Sequence, residues 1–207
     1  MTASPTPSSA RAAGKAQSRL KLIEAAATAI YRNGLRGATI GEIQAISGLS
    51  RGMINLHFNS KENLLLAVAE HLASQYEAHM AAALEGAGEA PQAQLKALFR
   101  ADLDPLVLNA RDVAIWFSFR AEGHATPAFQ AQINTRGGGF AQILGGVCAA
   151  LTPGEDGNPR FATLALMSLA EGLWTDFHVN PDRFDRDEAL AMCFYVAERL
   201  FPGRFSA

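Results

Sequence analysis

Thr39-Ile40-Gly41-Glu42-Ile43-Gln44-Ala45-Ile46-Ser47-Gly48-Leu49-Ser50-Arg51-Gly52-Met53-Ile54-Asn55-Leu56-His57-Phe58 reads as two short helices joined by a tight turn. Thr39 and Glu42 have the T-x-x-E spacing of a capping box, which starts a helix at Ile40. Ile40 and Ile43 then share one buried face. Gly48 tolerates positive φ and lets the chain turn sharply. Ser50 is placed to cap a second helix whose inner face carries Ile54 and Phe58. Arg51, Gly52, Met53, Asn55 and His57 are left largely on its outer side. A short capped helix held by a turn against another helix is a helix-turn-helix, and its second helix has the width of a DNA major groove.

The run from Leu49 to Leu65 resembles the recognition-helix signature of the TetR family. The specific part is His57-Phe58 followed by Ser60-Lys61-Glu62-Asn63-Leu64. With the helix upstream, the resemblance covers about the first third of the chain. It implies an all-α protein with an N-terminal three-helix DNA-binding unit and a C-terminal helical domain for ligand binding and dimerisation.

Charge distribution agrees with a DNA-facing end. The chain of 207 residues is near neutral overall, at −2. Residues 1–64 hold eight Lys/Arg against three Asp/Glu, and residues 65–207 hold ten against seventeen. This asymmetry places a basic end beside an acidic body. Cys148 and Cys193 sit in apolar stretches and read as buried thiols. No apolar run reaches membrane-spanning length and the N-terminus lacks a signal-peptide core, so the expectation is a cytoplasmic protein with no membrane partner.

The helical pattern extends along the whole chain, at about nine helices. Residues 1–14, rich in Ser, Pro and Ala, read as a disordered tail, with Arg11, Lys15 and Arg19 giving it and the start of the next helix a basic character. A helix from Ala16 to Asn33 carries Leu20, Ile23, Ala27, Ile30 and Tyr31 on one face and ends at Gly34. Ser60 caps a long helix to about Leu84, closed by Gly86 and Gly88. Pro91 opens a helix to about Leu108, and Asn109 caps another through Glu122. Thr126-Pro127 starts one that runs to about Leu151, weakened at Gly137-Gly138-Gly139. Pro159 opens a helix to about Val179, and Asp185 caps the last, which ends before Pro202. The division is a tail over 1–14, a DNA-binding domain over 15–62 and an effector-binding and dimerisation domain over 63–207.

Within the second half, Ala114-Ile115-Trp116-Phe117-Ser118-Phe119, Pro127 with Gln132 to Arg136, and Leu169-Ala170-Glu171-Gly172-Leu173-Trp174 resemble the BetI branch, the choline-responsive repressors. The chain departs from that branch at Arg120, Gly137 and Glu171, and the effector stays unidentified. The resemblance implies a palindromic double-stranded operator released on binding a small molecule.

Base reading needs donors and acceptors at base edges. Arg51 can grip guanine O6 and N7, Asn55 can pair with adenine N6 and N7, and Met53 offers a thymine methyl an apolar contact. Gly52 lets the backbone approach. Ser50, Lys61 and the amides at Thr39 suit phosphates, which position without specifying. The resemblance assigns His57 to a phosphate as well, against packing on the core. For the effector, Trp116, Phe119 and Arg120 share one helix face, and Glu171, Trp174 and His178 share another. Aromatics with a carboxylate could surround a cationic amine, or could be plain core. Arg120 could pair with Glu122 or Glu171, or could indicate an anionic effector.

A helix-turn-helix reads symmetric half-sites as a homodimer. Two stripes could form the interface: Ala162, Ala165, Ser168 and Gly172, or Ala189, Met192, Val196 and Leu200. An enzyme has little raw material here beyond Glu122-Gly123-His124 and Asp176 with His178. There is no His/Glu pair at metal spacing, no phosphate loop and no nucleophile elbow, so no metal or cofactor is expected. A DNA-binding regulator without an effector remains as an alternative.

Overall fold

A computed structural model describes residues 7–122, 129, 138–152 and 158–205, with side chains described from residue 11 onward. Among these residues every regular element is a helix: α1 (Pro7–Gly37), α2 (Ile40–Ser47), α3 (Arg51–Phe58), α4 (Lys61–Ala87), α5 (Pro91–Asp102), α6 (Ala110–Glu122), α7 (Gly139–Leu151), α8 (Pro159–Val179) and α9 (Arg186–Leu200). They form two compact units. The first comprises residues 1–72 and 115–133, the second 73–114 and 134–207.

In the first unit, α1 presents Leu22, Ile23, Ala26, Ala29 and Ile30 to a core shared with Ile43 of α2, Ile54 and Phe58 of α3, Leu64 and Val68 of α4, and Ile115 and Phe119 of α6. Leu20 and Tyr31, expected on the buried face, are about half exposed. Eleven residues apart, they fall within about 20° of each other around the helix, just past one edge of the buried stripe. The helix also begins at Pro7, so residues 7–14 are helical and not an irregular tail. Proline is pre-set for a first helical turn, and the Ala and Lys that follow are strong helix formers. At the other end Gly34 leaves helical geometry (φ 70°, ψ 174°), a conformation only glycine adopts without strain, and one further turn reaches Gly37.

The second unit is built from the distal part of α4 with α5, the start of α6, α7, α8 and α9. Leu95, Leu98, Leu144, Leu166, Leu173 and Ala197 are among its buried residues. Helix α5 stops at Asp102, six residues short of the expected Leu108, because Pro105 cannot continue it and disfavours the α conformation at Asp104. The carbonyls exposed in the resulting turn find a partner. The Arg186 guanidinium donates to Leu103 O and Leu108 O, each at 2.5 Å, and lies 5.2 Å from the centre of the Phe177 ring. Asn109 Oδ1 caps α6 by accepting from Asp112 N at 2.9 Å, as its position predicts. Gly138 is extended and α7 begins at Gly139, so the described part of the glycine run lies at a helix start. The helix expected from Pro127, with Gln132 to Arg136, Gly137 and His124, lies outside the described residues. Asn158 and Asp185 cap α8 and α9 through their carbonyl and carboxylate oxygens. Both cysteines are buried free thiols. Among the described residues no helix is long and apolar enough to cross a membrane.

Candidate nucleic-acid interface

The first unit holds the hairpin in the form its residues dictate. Thr39 Oγ1 accepts from Glu42 N at 3.2 Å. The reciprocal half of the capping box is absent, because the Thr39 amide donates to Gly37 O at 2.8 Å. That amide is therefore not available for a phosphate, whereas the hydroxyl remains exposed to solvent. Gly48 is left-handed (φ 65°, ψ 12°) and its amide closes α2 on Gln44 O at 2.8 Å. Ser47 is buried in the turn and its hydroxyl accepts from Leu49 N at 3.1 Å. This satisfies one of the amides that the sharp reversal leaves without a helical partner. Ser47 is absent from the residues expected to matter, although a serine just before a turn glycine is the available signal.

Ser50 has the extended conformation of an N-cap but makes no capping hydrogen bond with its side chain. Its hydroxyl stays on the surface at the start of α3. Ile54 and Phe58 anchor α3 to the core, and Arg51, Gly52, Asn55 and Leu56 are exposed. Arg51 and Asn55 are four residues apart, one helical turn, so both fall on one face. A Cβ built on Gly52 meets nothing closer than Ser50 Oγ at 3.6 Å. The protomer's packing does not require that glycine.

Met53, expected on the outer side, packs partly against the core, and Leu56 is 64% exposed.

His57 is half-buried, and its Nε2 is enclosed with no hydrogen-bond partner among the described residues. Burial and the nearby positive charges of Lys15 and Arg19 hold its pKa below the ordinary imidazole value, so the ring is neutral at pH 7. Ser60 caps α4 by accepting from Asn63 N at 3.1 Å, and Asn63 Nδ2 donates back to Phe58 O at 2.8 Å. These two bonds fix Lys61 in the first turn of α4, directly after the recognition helix.

The residues expected around an effector separate. Phe119 is fully buried and packs edge-on against Phe129, with ring centres 5.2 Å apart, so it belongs to the core of the first unit. Trp116 and Arg120 are half-buried in that unit, and the Arg120 guanidinium lies 5.7 Å from the Phe117 ring. Glu122, considered as a partner for Arg120, is held by Arg36 at 2.8 Å and 3.2 Å in a two-point ion pair. In the second unit Glu171 is half-buried and His178 exposed. Trp174 joins a group that no sequence pattern pointed to. Its Nε1 donates to Asp102 Oδ2 at 3.3 Å, while the Tyr76 hydroxyl donates to Asp102 Oδ1 at 2.9 Å. Tyr76 stands edge-on to both Trp174 and Phe140, at 5.9 and 5.6 Å.

Asp102 is 5% exposed and accepts from two neutral donors. Burial raises its pKa to about 6, against the lowering effect of the two hydrogen bonds. Its charge in turn helps burial push the Cys193 thiol up to about 12. Leu95, Leu98 and Asp102 follow i, i+3, i+7 on the inner face of α5. An acid at a core position is the legible sign.

A helix-turn-helix with an exposed polar recognition face, followed in the same chain by a separate helical unit, defines a DNA-binding regulator. Two family profiles match: one for bacterial regulatory proteins of the tetR family over residues 22–68, and one for the BetI-type transcriptional repressor C-terminal domain over residues 91–202. The chain belongs to the TetR family of transcriptional regulators, in its BetI-type branch. It is similar to the HTH-type transcriptional regulator BetI of Pectobacterium carotovorum subsp. carotovorum, with 29% identity across 88% of this chain and 93% of that one. The protein of the same description from Burkholderia thailandensis is 28% identical over 84% and 88%. Among solved structures, a transcriptional regulator from Pseudomonas aeruginosa PAO1 superposes with a TM-score of 0.81 at 24% identity, covering 89% and 90% of the two chains. A TetR transcription regulator from Haloarcula marismortui superposes at 0.75 and 18%, covering 89% and 98%. The family and these relatives are regulators of transcription and not enzymes.

Proposed function

We propose that this regulator is a cytoplasmic repressor that binds a palindromic operator as a homodimer and releases it when a small molecule binds. The observation that carries the reading is the face of α3. Arg51 and Asn55 stand exposed one turn apart, while Ile54 and Phe58 hold the helix rigidly from behind. A rigid helix with a guanidinium and a carboxamide at that spacing suits adjacent base pairs in a major groove. Ser50, Lys61 and the Thr39 hydroxyl suit the flanking phosphates, whereas His57, neutral and with its Nε2 enclosed, packs against the unit and does not take the phosphate role expected of it. On this reading residues 15–62 read DNA and residues 63–207 bind the effector and the second protomer. A duplex pool of random sequence, selected on the protein and sequenced, should return an inverted repeat. A pool that returns no consensus removes the reading.

The dimer is assigned to the outer faces of α8 and α9. Each of the two candidate stripes divides between core and surface. Ala162 and Ala189 are buried, whereas Ala165, Ser168, Gly172 and Met192 are exposed. Phe161, at 62%, and Tyr195, at 57%, extend the exposed apolar surface. Small residues on α8 beside larger apolar ones on α9 allow close helix approach with area to bury. A Cβ at Gly172 meets nothing within 4 Å, so Gly172→Glu leaves the protomer undisturbed while placing a charge in the interface. That variant, and Met192→Asp, should sediment as monomers at micromolar concentration where the wild type is a dimer. A dimer retained by both places the interface elsewhere.

The effector is assigned to the second unit, around Trp174, Tyr76 and Asp102 with Glu171. Helix α4 is continuous from Lys61 beside the recognition helix to Ala87, and so carries displacement along its length. A ligand shifts the balance between DNA-binding and released conformations only by its differential affinity for the two. A thermal-shift screen of amines, betaines and carboxylates, with each hit retested on the selected duplex, identifies the class. Trp174→Ala should keep operator affinity without effector and lose the response to the hit. A regulator whose affinity is unchanged across the screen acts without an effector.

A further inference from the structure

We propose that the N-terminal extension of α1 is a second DNA-contacting surface, in which Arg11, Lys15 and Arg19 form a ridge that grips the phosphate backbone beside the segment read by α3. The inference rests on the reading that the first unit binds DNA, and adds to it a surface outside the hairpin.

The ridge follows from the helix starting at Pro7. Arg11, Lys15 and Arg19 are four residues apart in turn and all exposed. Steps of four advance about 6 Å along the axis and drift only about 40° around it, so the three cations lie in one row about 12 Å long. The row leads to the recognition helix. The Arg19 guanidinium lies 5.1 Å from the centre of the Phe58 ring, at the C-terminal end of α3. Lys15 and Arg19 are near enough to His57 to depress its ionisation. The row thereby ends beside the C-terminal end of α3.

The charge pattern is unfavourable for a helix standing alone in water. Arg11, Lys15, Arg19 and Lys21 precede the first acidic residue, Glu24. Like charges at i, i+4 repel, and cations near a helix N-terminus oppose its dipole. The first turn contains no acid, and among the described residues no carboxylate pairs with Arg11 or Lys15. A solvated helix face ordinarily interleaves both signs. A row of one sign beside a DNA-reading helix has its complement in a polyanion. Double-stranded DNA carries a phosphate about every 3.4 Å of helix axis on each strand, so a row of this length can meet more than one.

The test is the salt dependence of binding by Arg11→Ala/Lys15→Ala. Both side chains are exposed and alanine is the better helix former, so helicity and melting temperature should match the wild type. Two duplexes serve as probes: one selected by the wild-type protein from a random pool, and a scrambled duplex of the same composition. The slope of log K against log[salt] should fall by about 0.9 for each phosphate that is no longer neutralised, or about 3.6 for a dimer in which four are freed. The ratio of affinities for the two duplexes should stay constant, since phosphate contacts carry no sequence. Lys15→Arg should retain the wild-type slope. Amide exchange across residues 11–20 should slow when either duplex is bound, and should slow less in the double variant. A wild-type slope in the double variant on both duplexes overturns the proposal and leaves the ridge as a solvated face. If the wild type selects no consensus, sequence reading by α3 fails, but the slope on random duplex still decides the ridge.

Discussion

Arg51→Ala and Asn55→Ala should each cost about 1–3 kcal/mol of operator affinity and relax the preference at one base position in each half-site. Both side chains are exposed on α3 and bond to no other side chain among the described residues, so the loss should appear in DNA binding with thermal stability unchanged. Lys61→Ala provides the contrast. It should weaken selected and scrambled duplexes alike and reduce the salt slope by about 1 per protomer. The reason is chemical: two directed donors or acceptors can match only one base edge, whereas an ammonium meets any phosphate. Titration of the selected duplex, with each base pair substituted in turn, gives the result directly. Arg51 and Asn55 variants with wild-type affinity and wild-type base preferences would remove α3 as the reading element.

The second large effect concerns Asp102. Its folded carboxyl, at about 6, binds a proton more readily than the ordinary carboxylate at 3.8. A raised value of this kind favours the fold fully below the unfolded pKa, and that contribution is lost as pH rises through the folded one. The shift corresponds to about 3 kcal/mol. Wild-type stability should therefore fall by about 2 kcal/mol of that between pH 4 and pH 7 relative to Asp102→Asn, which does not titrate, the remainder being released below pH 4. Asparagine keeps an acceptor for the Tyr76 hydroxyl but turns its amide toward the Trp174 N–H if the geometry is kept. That mismatch costs about 1–3 kcal/mol and is the same at every pH. Urea unfolding of both proteins at one concentration across this range isolates the difference, because every other titrating group is common to both. Tyr76→Phe removes a bond that favours the charged form, and should move the midpoint to higher pH. Parallel curves for wild type and Asp102→Asn would mean that the carboxyl titrates identically folded and unfolded.

A buried acid with only neutral partners weakens the fold at neutral pH, and such groups concentrate where proteins bind ligands. The proposed effector region is built on that argument. Trp174 marks the region in the sequence, but its two partners come from α4 and α5, 98 and 72 residues upstream. No spacing rule connects positions so distant along the chain.

The features legible along the chain are local ones. Thr39, Gly48 and Ser60 place the hairpin and the start of α4, because a capping oxygen or a positive φ acts within a few residues. Ile43, Ile54 and Phe58 place the inner face, because helical periodicity alone separates inside from outside. The exposed Arg51 and Asn55 follow from the same period. The helix extension to Pro7 lies within reach of the same rules, but there a Ser- and Pro-rich composition argues against helix propensity. Packing between distant segments settled the remainder. It divided the small-residue stripe of α8 and the apolar stripe of α9 between core and surface, took Phe119 into the first unit's core, gave Glu122 to Arg36, and gathered Tyr76 and Trp174 around the Asp102 carboxylate. Each of these depends on which distant face arrives opposite a given side chain. Apolar side chains at helical spacing look alike in sequence whether they meet a neighbouring helix, a second protomer or water.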